Sequence, residues 1–308
     1  MATTPRIGFI GLGMMGRGMA RNLLEKGFAL TTMAHRRREA LENLVANGAQ
    51  EAATARELAE ASDMVILCVT GATQVESIVH GERGLLAGCH SGMIVIDCTT
   101  SEPGTTLAIA TELAAKGVQL ADAPLARTPV EAEAGRLNTI VGASRETFVR
   151  IKPVLEAFCE NIFHVGEVGA GHKCKLIYNF LAMGQAALIA EALCACAATG
   201  VGLDKYAEVV SAGGANSGIF QLLVPKVLAE GDVSGLQFSL ANAEKDIRYY
   251  THMTGAVPLE GSLGKTVHSS LLQGLALGYT EGLVGSLIEA QAKLNGVDII
   301  GQCVPLRA

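Results

Sequence analysis

From residue 6 to about residue 164, short apolar runs of strand length alternate with amphipathic runs of helix length, and the strand-like runs cease after Gly169. A glycine-rich turn, Gly11-Leu12-Gly13-Met14-Met15-Gly16, follows the first apolar run directly. These observations predict an α/β fold: an N-terminal doubly wound sheet of Rossmann type, then an all-α C-terminal domain, joined by a long interdomain helix. A chain of 308 residues suits two cores, since domains mostly run ~100–200 residues. The boundary is expected between 168 and 169, giving a dinucleotide-binding domain over 1–168 and an all-α domain for substrate binding and dimerisation over 169–308.

The apolar runs place strands at 7–10, 29–34, 64–69, 93–97, 119–121 and 139–141, with helices at 15–26, 37–47, 54–61, 73–79 and 104–116. Thr54 and Glu57 have the spacing of a capping box, which marks a helix start. Strand and helix in alternation imply a parallel sheet covered on both faces. Beyond Gly169, helical patterns occupy 173–199, 203–212, the neighbourhood of 221–228, 241–254, 259–276 and the neighbourhood of 283–295. Residues 176–198 are long and apolar enough to span a bilayer. They carry Asn179, Gln185 and Glu191 and are rich in Ala and Gly, so they read as the buried centre of a soluble domain and no membrane is expected.

Composition narrows the function classes. A hydrophobic share of 49% with 18% charged residues describes a well-buried globular chain. A formal charge of −6 argues against nucleic acid as the main partner, because phosphate neutralisation needs a basic face. The eight cysteines form no CxxC pair, so no zinc site is expected and the thiols read as small buried groups in a reducing compartment. The N-terminus has neither the charged region nor the cleavage site of a signal peptide, which points to the cytoplasm.

The glycine turn carries chemistry because of its setting between a strand and a helix. Gly11 permits the tight turn, Gly13 lets backbone approach a pyrophosphate, and Gly16 allows close helix–strand packing, while the N–H groups around Met14 and Met15 face the phosphates. The cofactor choice turns on the end of the second strand. An NAD enzyme usually has an acid there to hold the ribose 2′-hydroxyl. This chain reads Met33-Ala34-His35-Arg36-Arg37-Arg38, with no acid before Glu39. Guanidinium groups bind a 2′-phosphate that a carboxylate would repel, so NADP is the expected cofactor, with His35, Arg36 and Arg37 at its phosphate. The alternative is a solvated helix start, although arginines there oppose the macrodipole.

The segment Gly169-Ala170-Gly171-His172-Lys173-Cys174-Lys175-Leu176-Ile177-Tyr178-Asn179 puts Lys175 and Asn179 four apart, on one helix face. They fall near the start of the interdomain helix, where a cleft is expected. A lysine in an apolar run has its pKa lowered by desolvation and can donate or accept a proton near neutrality; an exposed, solvated lysine is the alternative.

These motifs resemble the β-hydroxyacid dehydrogenase family nearly end to end. The run from Gly8 to Leu23 resembles the family's cofactor signature, and Asp97-Cys98-Thr99-Thr100-Ser101-Glu102-Pro103 its D-x-S-T-x-x-P segment. Asp122-Ala123-Pro124 begins its substrate-loop motif, the Gly169–Asn179 segment matches G-x-G-x-x-x-K-x-x-x-N, and Glu244-Lys245-Asp246 resembles its late K-D pair. The resemblance implies that Lys175 is the general acid/base, that Asn179 orients the substrate, that Thr100 lies by the nicotinamide ribose and the substrate, and that Lys245 approaches cofactor or substrate. The implied reaction is hydride transfer between nicotinamide and a carbinol or carbonyl carbon. Related imine reductases generally lack this lysine, so its presence favours an oxygen substrate.

The chain departs from the family's D-x-P-V-S-G-G loop, reading Asp122-Ala123-Pro124-Leu125-Ala126-Arg127-Thr128-Pro129. A small neutral loop has gained a fixed cation and a hydroxyl, so Ala126, Arg127 and Thr128 are expected to bind a small anionic substrate with a sulfonate or phosphonate head group. A similar Arg-Thr pair occurs in the sulfolactaldehyde-reductase branch. A carboxylate substrate, as for a 3-hydroxyisobutyrate or tartronate semialdehyde type of dehydrogenase, is the alternative, with Arg127 in solvent or weakly paired to Glu131 or Glu133; a non-catalytic NADP(H) sensor is a minor one, against which the Lys175–Asn179 face argues. Thr70-Gly71 replaces the usual Pro-Asn after the third expected strand, where Thr70 is expected at the cofactor, and Tyr178 replaces the first of two paired asparagines. The Gly/Ala-rich helical half is expected to pack against a second copy, as a homodimer or homotetramer.

Overall fold

A computed structural model describes residues 4–35 and 38–303. The chain divides into two compact units, Met1–Lys175 and Leu176–Ala308. Unit 1 runs β1 (Ile7–Ile10), α1 (Gly16–Glu25), β2 (Leu30–Met33), α2 (Glu39–Ala46), β3 (Gln50–Glu51), α3 (Ala55–Glu60), β4 (Met64–Leu67), α4 (Ala72–His80), α5 (Leu85–Gly88), β5 (Ile94–Asp97), α6 (Pro103–Ala114), β6 (Gln119–Asp122), β7 (Leu125–Ala126), α7 (Pro129–Glu133), β8 (Leu137–Gly142), α8 (Arg145–Leu155) and β9 (Cys159–Gly166).

The strands β3-β2-β1-β4-β5-β6 lie side by side in that order, all parallel. Every residue of β1, β4 and β5 is buried, as befits strands covered on both faces. The order reverses between β1 and β4, and ligands of such sheets bind outside the carboxyl ends of the strands at that switch point. The sheet is not parallel throughout: β8 runs antiparallel to β6 and β7, and β9 runs parallel to β8. The strands β3, β7 and β9 and the helices α5, α7 and α8 go beyond the expected elements. Helix α8 holds Pro153 inside it and packs Phe148 against His164 of β9, ring centroids 4.4 Å apart. Helix α7 docks on α1: Asn22 donates to the Ala132 carbonyl at 3.1 Å, Arg17 and Arg21 pair with Glu133, and a side chain at Gly18 would meet the Ala132 backbone.

Helix α9 (Ala170–Thr199) begins in unit 1 and continues into unit 2. Unit 2 then runs α10 (Leu203–Ala212), α11 (Gly218–Glu230), α12 (Leu240–Gly255), α13 (Ser262–Ala276), α14 (Ser286–Asn295) and α15 (Ile300–Cys303), around a core that includes Leu193, Val224, Val227, Leu240, Ile247, Leu271 and Ile288. Helix α9 is long and apolar enough to cross a membrane by length and composition. The expectation that it is buried all round is corrected, because Leu181 and Leu188 are 61% and 70% exposed.

Candidate functional site

The glycine turn assigns each glycine a distinct constraint. Gly11 has φ +111°, and a side chain there would strike the Cys68 carbonyl. A side chain on Gly16 would fall 1.9 Å from the Gly11 oxygen. Around Gly13, by contrast, no atom of the described residues beyond its two chain neighbours lies within 4 Å of where a Cβ would sit. Helix α1 begins there with Met15 at its N-cap, no side-chain cap and no acid in its first turn, and Met14 is exposed. Uncapped N–H groups beside open space at a strand's carboxyl end fit the pyrophosphate of a dinucleotide.

Beyond β2, His35 is exposed, and Arg36 and Arg37 lie outside the described residues. Arg38, the N-cap residue of α2, holds both carboxylate oxygens of Glu51 at 3.0 Å and approaches Glu42 at 3.5 Å. Those acids offset its unfavourable place at a helix N-terminus, so Arg38 has the structural role that the arginine run was expected to lack.

The carboxyl ends of β5 and β6 each carry a buried acid, Asp97 and Asp122. Asp97 accepts from the Thr99 N–H at 2.9 Å, and burial holds its carboxyl above the usual range, opposed by nearby His172. Asp122 caps α9 from a distance: one oxygen accepts from the Gly169 N–H at 2.6 Å, the other from the His172 N–H at 2.7 Å. The approach explains the glycines of the lysine motif. Gly169 has φ +90°, and a side chain at Gly171 would strike the Ile140 carbonyl and Asp122. The His172 ring is fully buried; Nε2 faces the Thr99 carbonyl at 2.8 Å and Nδ1 the Thr106 hydroxyl at 2.7 Å. Lys175, three residues further along the helix, is 8% exposed. Thr100 is half-buried, Thr70 is exposed, and the Ser101 hydroxyl is buried with no hydrogen-bond partner among the described residues.

In unit 2, the Asn179 amide donates to the Asp246 carboxylate at 2.6 Å, both side chains being buried. A carboxylate accepts, so the amide nitrogen faces Asp246 and the amide oxygen is turned away from it. Lys245 forms an ion pair with the other Asp246 oxygen at 3.0 Å and lies over the Tyr249 ring, 5.3 Å from its centre.

The loop after β7 spends its polar groups locally. Arg127 takes φ +81°, the left-handed backbone that the family's glycine adopts readily. Its guanidinium bonds the Arg136 carbonyl and pairs with Glu160, so the expected surface partners, Glu131 and Glu133, give way to a residue of β9. Thr128 caps α7 in a reciprocal box with Glu131, whose carboxyl is held below its usual range by the Thr128 hydroxyl. Ala126 pairs with Asn138 across the β7–β8 ladder. Burial pushes the Cys68 thiol up to about 12 and also raises Cys98 and Cys159, consistent with inert thiols. Among the described residues, no group of three or more His, Cys, Asp or Glu could hold a metal ion.

Asp97, Ser101, Asp122, His172 and Asp246 stand inside the motifs quoted from the sequence, but the sequence reading assigned them no role. A usable signal was present, since Ile94–Asp97 and Gln119–Asp122 each end a strand with an acid.

A dinucleotide cradle on a sheet of this order, followed by a long helix α9 that carries the buried Lys175 and Asn179 four residues apart, defines a class of nicotinamide-dependent oxidoreductases. Residues 6–166 match the family model of the NAD-binding domain of 6-phosphogluconate dehydrogenase, and residues 169–282 that of the NAD-binding domain of NADP-dependent 3-hydroxyisobutyrate dehydrogenase. The chain is 32% identical to 2-(hydroxymethyl)glutarate dehydrogenase of Eubacterium barkeri, over 98% of this chain and 99% of that one. It is 33% identical to 3-sulfolactaldehyde reductase of Escherichia coli, over 78% of this chain and 80% of that one. The solved structure of Psf3 in complex with NADP+ and 2-OPP superposes with a TM-score of 0.78 at 25% identity, covering 92% of this chain and 99% of that one. The chain therefore belongs to the β-hydroxyacid dehydrogenase family, which includes 3-hydroxyisobutyrate dehydrogenase, and is an NAD(P)-dependent oxidoreductase.

Proposed function

We propose that this oxidoreductase uses NADP(H) and interconverts a small anionic hydroxy compound with its aldehyde or ketone. The observation that carries the reading is the buried Lys175, on one helix face with the buried Asn179. When bound, the nicotinamide supplies or accepts the hydride. In the reductive direction Lys175 Nζ stabilises charge developing on the carbonyl oxygen and gives it a proton; in the oxidative direction it takes the proton back. Asn179, its amide nitrogen committed to Asp246, offers its oxygen to a donor such as a substrate hydroxyl. NADPH over NADH is supported by the run His35-Arg36-Arg37 and by the lack of an acid closing β2.

For the head group, the Arg127-Thr128 pair and the 33% identity to a 3-sulfolactaldehyde reductase favour a sulfonate or phosphonate. A carboxylate is the second reading, favoured by the engagement of Arg127 with Glu160 and of Thr128 with Glu131. The test is a panel of sulfonate, phosphonate and carboxylate aldehydes or ketones, each assayed with NADPH and NADH. Highest kcat/KM with a carboxylate substrate sinks the first head-group reading, and equal use of NADH sinks the cofactor reading. In the same assay Lys175→Ala is expected to lose ~10²–10⁴-fold in kcat with NADPH affinity kept. Retention of roughly a tenth of kcat counts against the proton-donor role. The reading further takes the enzyme as cytoplasmic and as a homo-oligomer; the exposed Leu181 and Leu188 of α9 support the second of these alone, which its mass in solution tests.

A further inference from the structure

We propose that His172 is a positioning residue for Lys175, fastening the first turn of α9 to the Thr99 carbonyl of the loop after β5. This rests on the reading of Lys175 as proton donor. The imidazole is fully buried, and no part of it is spent on solvent. A carbonyl oxygen only accepts, so His172 Nε2 carries the hydrogen and donates to Thr99 across 2.8 Å. The backbone of the same residue is held from another side, its N–H donating to Asp122 at 2.7 Å. Asp97 Oδ2 and Asp122 Oδ2 each stand 4.0 Å from a ring nitrogen, and the Thr106 hydroxyl meets Nδ1 at 2.7 Å.

Thr99 is itself held at three points. Its N–H donates to Asp97, its hydroxyl accepts from the Val69 N–H at 3.1 Å, and its carbonyl accepts from His172. His172 and Thr99 together thus tie the ends of β4, β5 and β6 to one turn of α9, the ring making the bond between the two residues. Residues three apart on a helix share a face, so the bond that fixes the His172 turn also fixes the backbone that presents Lys175. Residues 99 and 100 form the loop next to which the nicotinamide is expected. A shift in this turn moves the proton donor relative to the reacting carbon, and a misplacement of about 1 Å can cost ~10²-fold in rate.

The experiment uses the full-length enzyme with NADPH and the panel substrate of highest kcat/KM. His172→Leu removes the donor and is expected to lower kcat roughly tenfold to a hundredfold, with little change in KM or NADPH affinity. His172→Gln keeps a donor at similar reach and is expected to restore most of kcat. Equal kcat in the two variants overturns the proposal, because a purely packing role does not distinguish a donor from a methyl group. The wild-type ring gives a readout that needs neither variant to fold: ¹⁵N NMR of His172 is expected to show Nε2 carrying hydrogen, and an unprotonated Nε2 overturns the proposal. The two readings fail separately. Lys175→Ala with unimpaired kcat sinks the proton-donor reading, whereas His172→Leu with unimpaired kcat beside an inactive Lys175→Ala sinks only the positioning role.

Discussion

Two turns of unit 1 each lead from a strand into a helix, and they are built in opposite ways. At Gly11–Gly16 the polar backbone is left open: α1 has no side-chain cap, and nothing crowds Gly13. At Ala126–Glu131 the polar groups are already engaged, Arg127 by Glu160 and the Arg136 carbonyl, Thr128 by Glu131. A helix start without a cap, beside space, is prepared for a ligand's phosphate. A capped start has spent its donors on its own stability. The difference teaches that a loop which looks like an anion site by composition must still be asked whether its cation is free. Arg127 meets a substrate anion only in competition with Glu160.

The contrast can be broken from either side. The largest effect is expected for Gly16→Ala, whose Cβ would lie 1.9 Å from the Gly11 oxygen; it should destabilise the protein by about 1–3 kcal/mol and abolish NADPH binding. Thermal melts and fluorescence titration check both. Gly13→Ala is the sharper test. With open space around it, stability should change by less than about 0.5 kcal/mol, while NADPH affinity falls at least ~10-fold, equivalent to about 1.4 kcal/mol. Normal binding in that variant would mean that no phosphate approaches Gly13.

On the other side, Arg127→Ala should raise KM for a sulfonate or phosphonate substrate about tenfold, with NADPH affinity untouched, if the guanidinium reaches the head group. An unchanged KM leaves the carboxylate reading. Arg127→Gly should melt higher than Arg127→Ala by about 1 kcal/mol, because only glycine takes φ +81° without penalty. The exposed Glu160 pair lost in both is worth about 0–1 kcal/mol.

The smallest effect is expected for Thr128→Ala, about 1 kcal/mol at pH 7. Glu131 has its folded pKa lowered by the Thr128 hydroxyl and N–H. Its contribution is therefore present above the unfolded carboxylate pKa and is lost as pH falls through the folded value. The stability gap between wild type and Thr128→Ala should narrow on acidification; a gap independent of pH would show that the reciprocal box adds nothing.

Much of the fold was legible because the buried parallel strands are continuous apolar runs and the glycine turn sits directly after one. Strand β9 was missed because it lies at the sheet's edge beside β8 among the described residues and carries Glu160 and Asn161 among half-exposed positions, leaving no apolar run. Helix α8 was hidden by Pro153, although Phe148, Ile151 and Leu155 keep helical spacing on its buried side. The Lys175–Asn179 face could be read from a spacing of four, since one helix supplies both residues.

Local order along the chain was enough for the doubly wound fold class and for placing the glycine turn and the Lys-Asn pair on their elements, because each depends on residues within one helix or one strand–turn–helix unit. The pairing of Arg127 with Glu160, the capping of α9 by Asp122 and the binding of His172 to Thr99 join residues 33, 47 to 50 and 73 positions apart. Such contacts depend on which strand edges the sheet brings together, and no local spacing encodes that.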